Sequence, residues 1–207
     1  MSSGSPWTPC ALLATRYLTH HPGATIAHDV LTSAGTREMI HEHGGRLIRS
    51  RVGHSHLKHA MLATGAALGG ESSGHYYFGD FWHADSGPLA ALHTIAALGH
   101  QPLPASRLLS PFTRYVTSGE INLTVPDPQA TLETVKGHFA HQGDHLDGPT
   151  VTYGPATWFN LRPSNVYPVL RLTIEAPSRR DVEDLRQQVL ALLIPLIPLI
   201  PLIPLIP

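Results

Sequence analysis

The chain has 207 residues, with 14 Lys and Arg against 15 Asp and Glu and an apolar content of 42%. That length suits one large domain or two modest ones. The near-zero net charge supplies neither the long-range field nor the basic stripe by which nucleic acids and anionic membranes are held, so neither is expected as a partner. The single cysteine, Cys10, excludes an internal disulfide and is compatible with a reducing compartment.

Met1 to Pro9 is small and polar, lacks the basic and apolar stretches of a signal peptide, and reads as an N-terminal remnant, residues 1–9. Ala11 to Leu18 has helical character and stops at His21-Pro22-Gly23. Ala24 to Val30 is β-like, with Asp29 near its end and the loop Leu31-Thr32-Ser33 beyond. Thr36 to His43 predicts a helix closed by Gly44-Gly45. Arg46 to Val52 predicts a strand, His54 to Ala63 a helix, and Ala66 to Leu68 a strand running into a glycine-rich loop. Ser86 to Leu98 predicts a helix with Ser86 as cap and Gly99 as stop. This order predicts an α/β layered domain, a mixed sheet with flanking helices, over residues 10–100.

Three prolines between Gln101 and Pro111 mark a linker, residues 101–117. Beyond it Glu120 to Val125 alternates as a strand, and Asp127-Pro128 opens a helix of about ten residues. Val151 to Tyr153, Thr157 to Leu161 and Val169 to Glu175 are β-like, and Asp181 to Leu193 is helical. A small α+β domain over residues 118–193 follows. Residues 194–207 are an Ile-Pro-Leu repeat. Proline at every third position forbids a helix interior and therefore a membrane-spanning helix. Polyproline II is the expected conformation, and a slipped repeat or altered reading frame is preferred to a docking tail.

Three segments carry groups suited to chemistry. Gly70-Glu71-Ser72-Ser73-Gly74-His75 places a carboxylate, hydroxyls and an imidazole between glycines that allow close backbone approach to a ligand. A carboxylate beside a hydroxyl matches a sugar diol. Arg162-Pro163-Ser164-Asn165, placed by the pattern in a loop between β-like runs, offers a guanidinium, a hydroxyl and an amide to a phosphate. Val52-Gly53-His54-Ser55 opens a helix on which His54 and Lys58 share a face. An imidazole at a helix N-terminus, where anions are attracted, suits proton transfer from a sugar hydroxyl. Each segment also has a plainer reading, as a polar turn, an Asx-type turn with a solvated arginine, or a capping histidine.

Taken in order, these segments resemble the α-D-phosphohexomutases, the phosphomannomutase/phosphoglucomutase family. The resembling stretches are Arg51-Val-Gly-His-Ser-His-Leu-Lys58, Gly69-Gly-Glu-Ser-Ser-Gly-His-Tyr-Tyr-Phe78 and Asp85-Ser-Gly87. They continue in Ser118-Gly-Glu-Ile-Asn122, Leu146-Asp-Gly148 and Trp158-Phe-Asn-Leu-Arg-Pro-Ser-Asn165, followed by Pro168-Val-Leu-Arg-Leu172. The resemblance implies the third and fourth of four domains. By it, Glu71, Ser73 and His75 read the hexose, Arg162, Ser164 and Asn165 bind a phosphate, and His54 is an acid/base candidate with Lys58 beside it. The family reaction moves a phosphate between the 1- and 6-positions of a hexose through a bisphosphate.

The family's phosphoserine segment and its Asp-rich magnesium loop have no counterpart in these residues. Magnesium is therefore expected only in the full-length family enzyme, no metal ligand is assigned here, and the chain is expected to be inactive alone. Val166-Tyr167 stands where the family has Thr-Glu or Thr-Thr, and no basic residue lies between Leu31 and Ala34. The expected ligand is glucose or mannose 1- or 6-phosphate, in the cytoplasm, with a separate chain carrying the missing domains as a further partner. The alternative is a non-catalytic sugar-phosphate-binding module or one half of a split enzyme. A metal site drawn from the 15 histidines is disfavoured, because His54, His56 and His59 do not share a helix face.

Overall fold

The computed structural model describes residues 8–99, 104–139, 142–164 and 167–193. The expectations for residues 1–7, for Asn165 and for the Ile-Pro-Leu tail lie outside these residues. The described residues divide into two compact units that meet between Val116 and Thr117.

The first unit is an α/β layer. Its elements are α1 (Thr8–His20), β1 (Thr25–Asp29), α2 (Ala34–Glu42), β2 (Arg46–Ser50), α3 (His54–Thr64), β3 (Leu68–Gly70), β4 (Tyr76–Phe78), β5 (Ala84–Asp85), α4 (Gly87–Gly99) and α5 (Ala105–Leu109). The sheet order is β2-β1-β3-β4-β5. β1 pairs in parallel with β2 and β3, while β4 and β5 add antiparallel. β1 is buried along its whole length, as a strand covered on both faces must be. Its alternation sends Ile26 into a core with Cys10, Leu13 and Leu18 of α1, and Ala27 into a second core with Leu57 and Met61 of α3.

Gly69 and Gly70 serve this packing. A Cβ on Gly69 would strike Met61 Sδ, and one on Gly70 would strike Cys10 Sγ. The close approach that requires Gly70 is therefore that of a helix onto the sheet, not that of a ligand. Burial also pushes the Cys10 thiol up to about 12, with the Asp29 carboxylate adding to the effect.

Several expectations shift. Thr8 and Pro9, assigned to the remnant, open α1, since proline is tolerated in the first turn of a helix. The glycine-rich segment is strand β3, a loop over residues 71–75 and strand β4, so the sheet has two antiparallel strands that the pattern does not predict. The expected linker holds α5 and a 3-10 turn, Ser110–Phe112, and its last two residues begin β6. Pro104 is the N-cap of α5 and Pro111 lies in the first turn after it, so these prolines start helical turns. Arg114 lies 2.6 Å from Glu42 and 3.0 Å from Glu38, which ties the end of this segment to α2.

The second unit is the α+β domain. Its elements are β6 (Val116–Leu123), α6 (Pro128–His138), β7 (Gly143–Asp144), β8 (Thr150–Gly154), β9 (Thr157–Pro163), β10 (Leu170–Ala176) and α7 (Arg179–Leu193). The sheet order is β6-β10-β9-β8-β7, with β10, β9, β8 and β7 paired antiparallel in turn. α6 packs on β9 and α7 on β10. Asp127 caps α6 by accepting from the backbone N–H groups of Gln129 and Ala130, both at 3.0 Å. Val182, Leu185, Val189 and Leu193 are the buried residues of α7, at helical spacing.

Candidate functional site

In an open α/β sheet the C-terminal ends of the parallel strands are where a ligand is bound. β1, β2 and β3 end at Asp29, Ser50 and Gly70. The chain then supplies His54 and Lys58 from the start of α3, and Glu71, Ser73 and His75 from the β3–β4 loop. All five line one cavity of about 510 Å³, with Tyr77 and Asp85 alongside. The sequence-selected residues of the first unit are thus gathered by the fold around a single space.

The groups in this cavity are held by others. Glu71 is 3% exposed. Its Oε2 accepts from Ser73 Oγ at 2.9 Å and its Oε1 from Tyr77 OH at 3.2 Å. A carboxylate offers about four lone-pair positions, so acceptor capacity remains. Burial, and then the neighbouring Glu71 carboxylate, hold the Tyr77 phenol well above its usual range, so Tyr77 stays a donor. His75 Nδ1 lies 2.6 Å from Asp85 Oδ2, and Asp85 Oδ1 accepts from Tyr76 N at 3.1 Å. A carboxylate at Nδ1 favours the proton there and leaves Nε2 of the neutral ring as an acceptor. The loop itself closes through Glu71 N donating to His75 O and Gly74 N donating to Glu71 O, both at 3.0 Å. Gly74 turns it with φ +85°, a conformation suited to glycine.

The second unit places its candidates differently. Arg162 is in β9, not in a loop, because the β9–β10 pairing extends to Pro163. It is buried, directly opposite Arg171 across the strands. Like charges in that position repel, and Glu120 on β6 answers both. Its carboxylate lies 2.9 Å from Arg162 and 3.1 Å from Arg171. The Nε atoms of both arginines are buried without a hydrogen-bond partner among the described residues. Ser164 N donates to Val169 O at 2.9 Å, and Ser164 Oγ accepts from Tyr167 N at 3.2 Å.

Sequence reasoning gives no role to Asp29, Tyr77, Asp85, Glu120 or Arg171. The signal for Asp29 is an acidic residue at the end of an apolar strand, and for Tyr77, Asp85, Glu120 and Arg171 their place in the resembling stretches. What those four touch emerges only through the fold. Among the described residues no group of three or more His, Cys, Asp or Glu is placed to hold a metal ion. No helix among them is long and apolar enough to cross a membrane.

Comparison with known proteins bears on the fold and on the family. Residues 9–115 match the family described as phosphoglucomutase/phosphomannomutase, alpha/beta/alpha domain III, and residues 120–192 match its C-terminal domain. This chain belongs to the phosphoglucomutase/phosphomannomutase family. It is 35% identical over 184 residues to a phosphomannomutase of Methanocaldococcus jannaschii, covering 88% of this chain and 41% of that protein. It is 36% identical over 188 residues to a phosphomannomutase of Salmonella typhimurium, covering 88% of this chain and 40% of that protein. A family structure from Burkholderia thailandensis superposes with a TM-score of 0.81 at 28% identity, over 91% of this chain and 41% of that one. The chain therefore spans about two-fifths of the length of these relatives.

Proposed function

We propose that this chain is the hexose-phosphate-holding portion of a phosphomannomutase/phosphoglucomutase and acts in the cytoplasm. The observation that carries the reading is the single cavity lined by His54, Lys58, Glu71, Ser73 and His75. Glu71, fixed by Ser73 and Tyr77, accepts from hexose hydroxyls, and a preset acceptor loses little freedom on binding. Ser73 gives or takes a hydrogen bond at the next position. His75 presents Nε2, and His54 at the head of α3 is placed to exchange a proton with a hydroxyl, with Lys58 one turn on to meet a negative charge. In the second unit Arg162, with Ser164 and Asn165, is the phosphate-binding element.

Transfer of the phosphoryl group itself needs a positioned donor and charge neutralisation. In the family a phosphoserine and magnesium supply these from domains this chain does not match. The chain alone is accordingly a binder without turnover. A separate chain bearing the remaining domains is the proposed partner, and the outer face of α4 offers it a surface to cover. That helix has no charged residue and leaves Leu92 and Ile95 about two-thirds exposed. Apolar helix faces of this kind are covered in working assemblies.

Calorimetric titration with glucose 6-phosphate and mannose 6-phosphate is expected to show weak, saturable binding in roughly the millimolar range. Glu71→Gln is expected to weaken it about tenfold, the worth of one charge-assisted hydrogen bond. Flat isotherms with both sugars would remove the binding role. Mutase turnover by the chain alone, with magnesium and a hexose bisphosphate supplied, would contradict the division of labour.

A further inference from the structure

The loop that carries Glu71 and Ser73 is short and is anchored by strands of only three residues on either side. The two side chains that line the cavity flank Ser72, which does not line it. Ser72 is gripped from below by Asp29, the last residue of β1. Ser72 N and Ser72 Oγ both donate to Asp29 Oδ2 at 2.9 Å. Asp29 Oδ1 accepts from Leu31 N at 3.0 Å and from Thr32 Oγ1 at 3.3 Å. The side chain has no exposure to solvent.

We infer that Asp29 is the positioning residue of the hexose loop, setting where Glu71 and Ser73 stand without itself touching the ligand. The inference rests on the reading of that loop as the hexose-binding element. Three physical points carry it. Four donors from two loops converge on one side chain, and only a carboxylate accepts on both sides; an asparagine would turn an NH2 group toward one pair of donors. The two bonds to Oδ1 organise the turn after β1, but the two to Oδ2 reach 43 residues along the chain and do nothing for that turn. Both carboxylates are buried, and the Glu71 charge acts on Asp29, an arrangement that costs electrostatic energy. Simple closure of a polar loop does not require a second buried carboxylate there.

The test compares the full chain with Asp29→Asn and Ser72→Ala by amide hydrogen exchange without ligand, and by titration with glucose 6-phosphate. Amides of residues 71–75 are expected to exchange at least about tenfold faster in Asp29→Asn, with those of Ala27 and Ile174 unchanged. Affinity is expected to fall about tenfold, and Ser72→Ala to cost less in the Asp29→Asn background than in the parent chain, because the Ser72 hydroxyl acts through Asp29. If Asp29→Asn does not fold, Ser72→Ala carries the test, with loop exchange and affinity each changed severalfold. Unchanged loop exchange, or exchange that rises equally across the unit, would overturn the positioning role. Accelerated loop exchange beside flat titrations of the parent chain would overturn the hexose reading and leave the grip on Ser72 standing.

Discussion

In the first unit, the Glu71 and Asp85 carboxylates border a cavity, and Glu71 has acceptor positions unused. In the second, the Arg162 guanidinium is closed by Glu120, which Arg171 shares. The first unit offers its charged groups at strand ends, where the chain leaves the sheet. The second holds them within strands, where neutralisation comes from the next strands over. A neutral hexose can meet the first arrangement as it stands, whereas an anion reaching Arg162 must share it with Glu120 or displace it.

The sharpest way to break this comparison is Glu120→Gln. It leaves two opposed arginines without a counter-charge, one of them buried. Removing a partner from a fully buried pair costs about 3–5 kcal/mol. Glu120 is 36% exposed, and screening reduces the figure, so about 2–3 kcal/mol is expected. Urea midpoints measure the loss. Inorganic phosphate should then restore stability to Glu120→Gln more than it stabilises the parent chain, because an anion that binds the folded state raises its stability. A variant indifferent to phosphate would separate Arg162 from anion binding.

The same comparison explains what could be read in the sequence. The cavity of the first unit was legible because its residues cluster in short glycine-bounded segments, and each segment follows a strand of the parallel trio. The long helices were legible for the same local reason, as with Ser86 capping α4 by accepting from Leu89 N at 3.2 Å and Asp127 capping α6. The strands Tyr76–Phe78, Ala84–Asp85 and Gly143–Asp144 were not. Two or three residues carry no alternation, and pairing with a neighbour alone makes them strands. The same limit put Arg162 in a loop. Nothing local says that β9 runs on to Pro163; its register with β10 decides it. Asp29 reads as a strand terminus and no more, because its partner Ser72 is remote in sequence.

A second prediction sharpens the picture of the buried end of β1. Burial is the main cause that holds the His28 imidazole down at about 3, and Arg37, Arg49 and His41 add to it against the Asp29 carbonyl, which lies 2.8 Å from Nδ1. Burial pushes the Asp29 carboxyl up to about 6, against the bonds from Ser72 and Leu31. The signs oppose. The His28 contribution is complete above pH 6.5 and is lost as pH falls toward 3, since the unfolded chain binds that proton first. The Asp29 contribution is complete below about 3.8 and is lost as pH rises through about 6, since the folded chain holds that proton longer. Between about pH 6 and pH 4 the two slopes offset. His28→Gln removes one of them, so its stability relative to the parent should rise by about 1.4 kcal/mol per unit as pH falls through that window. Urea midpoints at successive pH values read this directly. A difference independent of pH would mean that His28 is not held neutral by its surroundings.

The smallest effect is expected on α4, where a comparison with α7 makes the argument. α7 turns charge outward, with Glu183 and Arg186 paired at 3.0 Å and Arg180 and Asp184 at 3.7 Å, and its apolar residues inward. α4 buries only Ala90 and turns Leu92 and Ile95 outward with no charge on the helix. If those two side chains contribute nothing to their own unit, replacing them should leave its stability nearly untouched. Leu92→Glu with Ile95→Lys places opposite charges at i and i+3, an arrangement that supports a helix. The pair should change the unfolding free energy by no more than about 0.5 kcal/mol. Sedimentation should show the parent chain self-associating as concentration rises, through this exposed apolar face, and the double variant remaining monomeric. A loss of stability well beyond that bound would mean that Leu92 and Ile95 pack within their own fold, and that the outer face of α4 is not a docking surface.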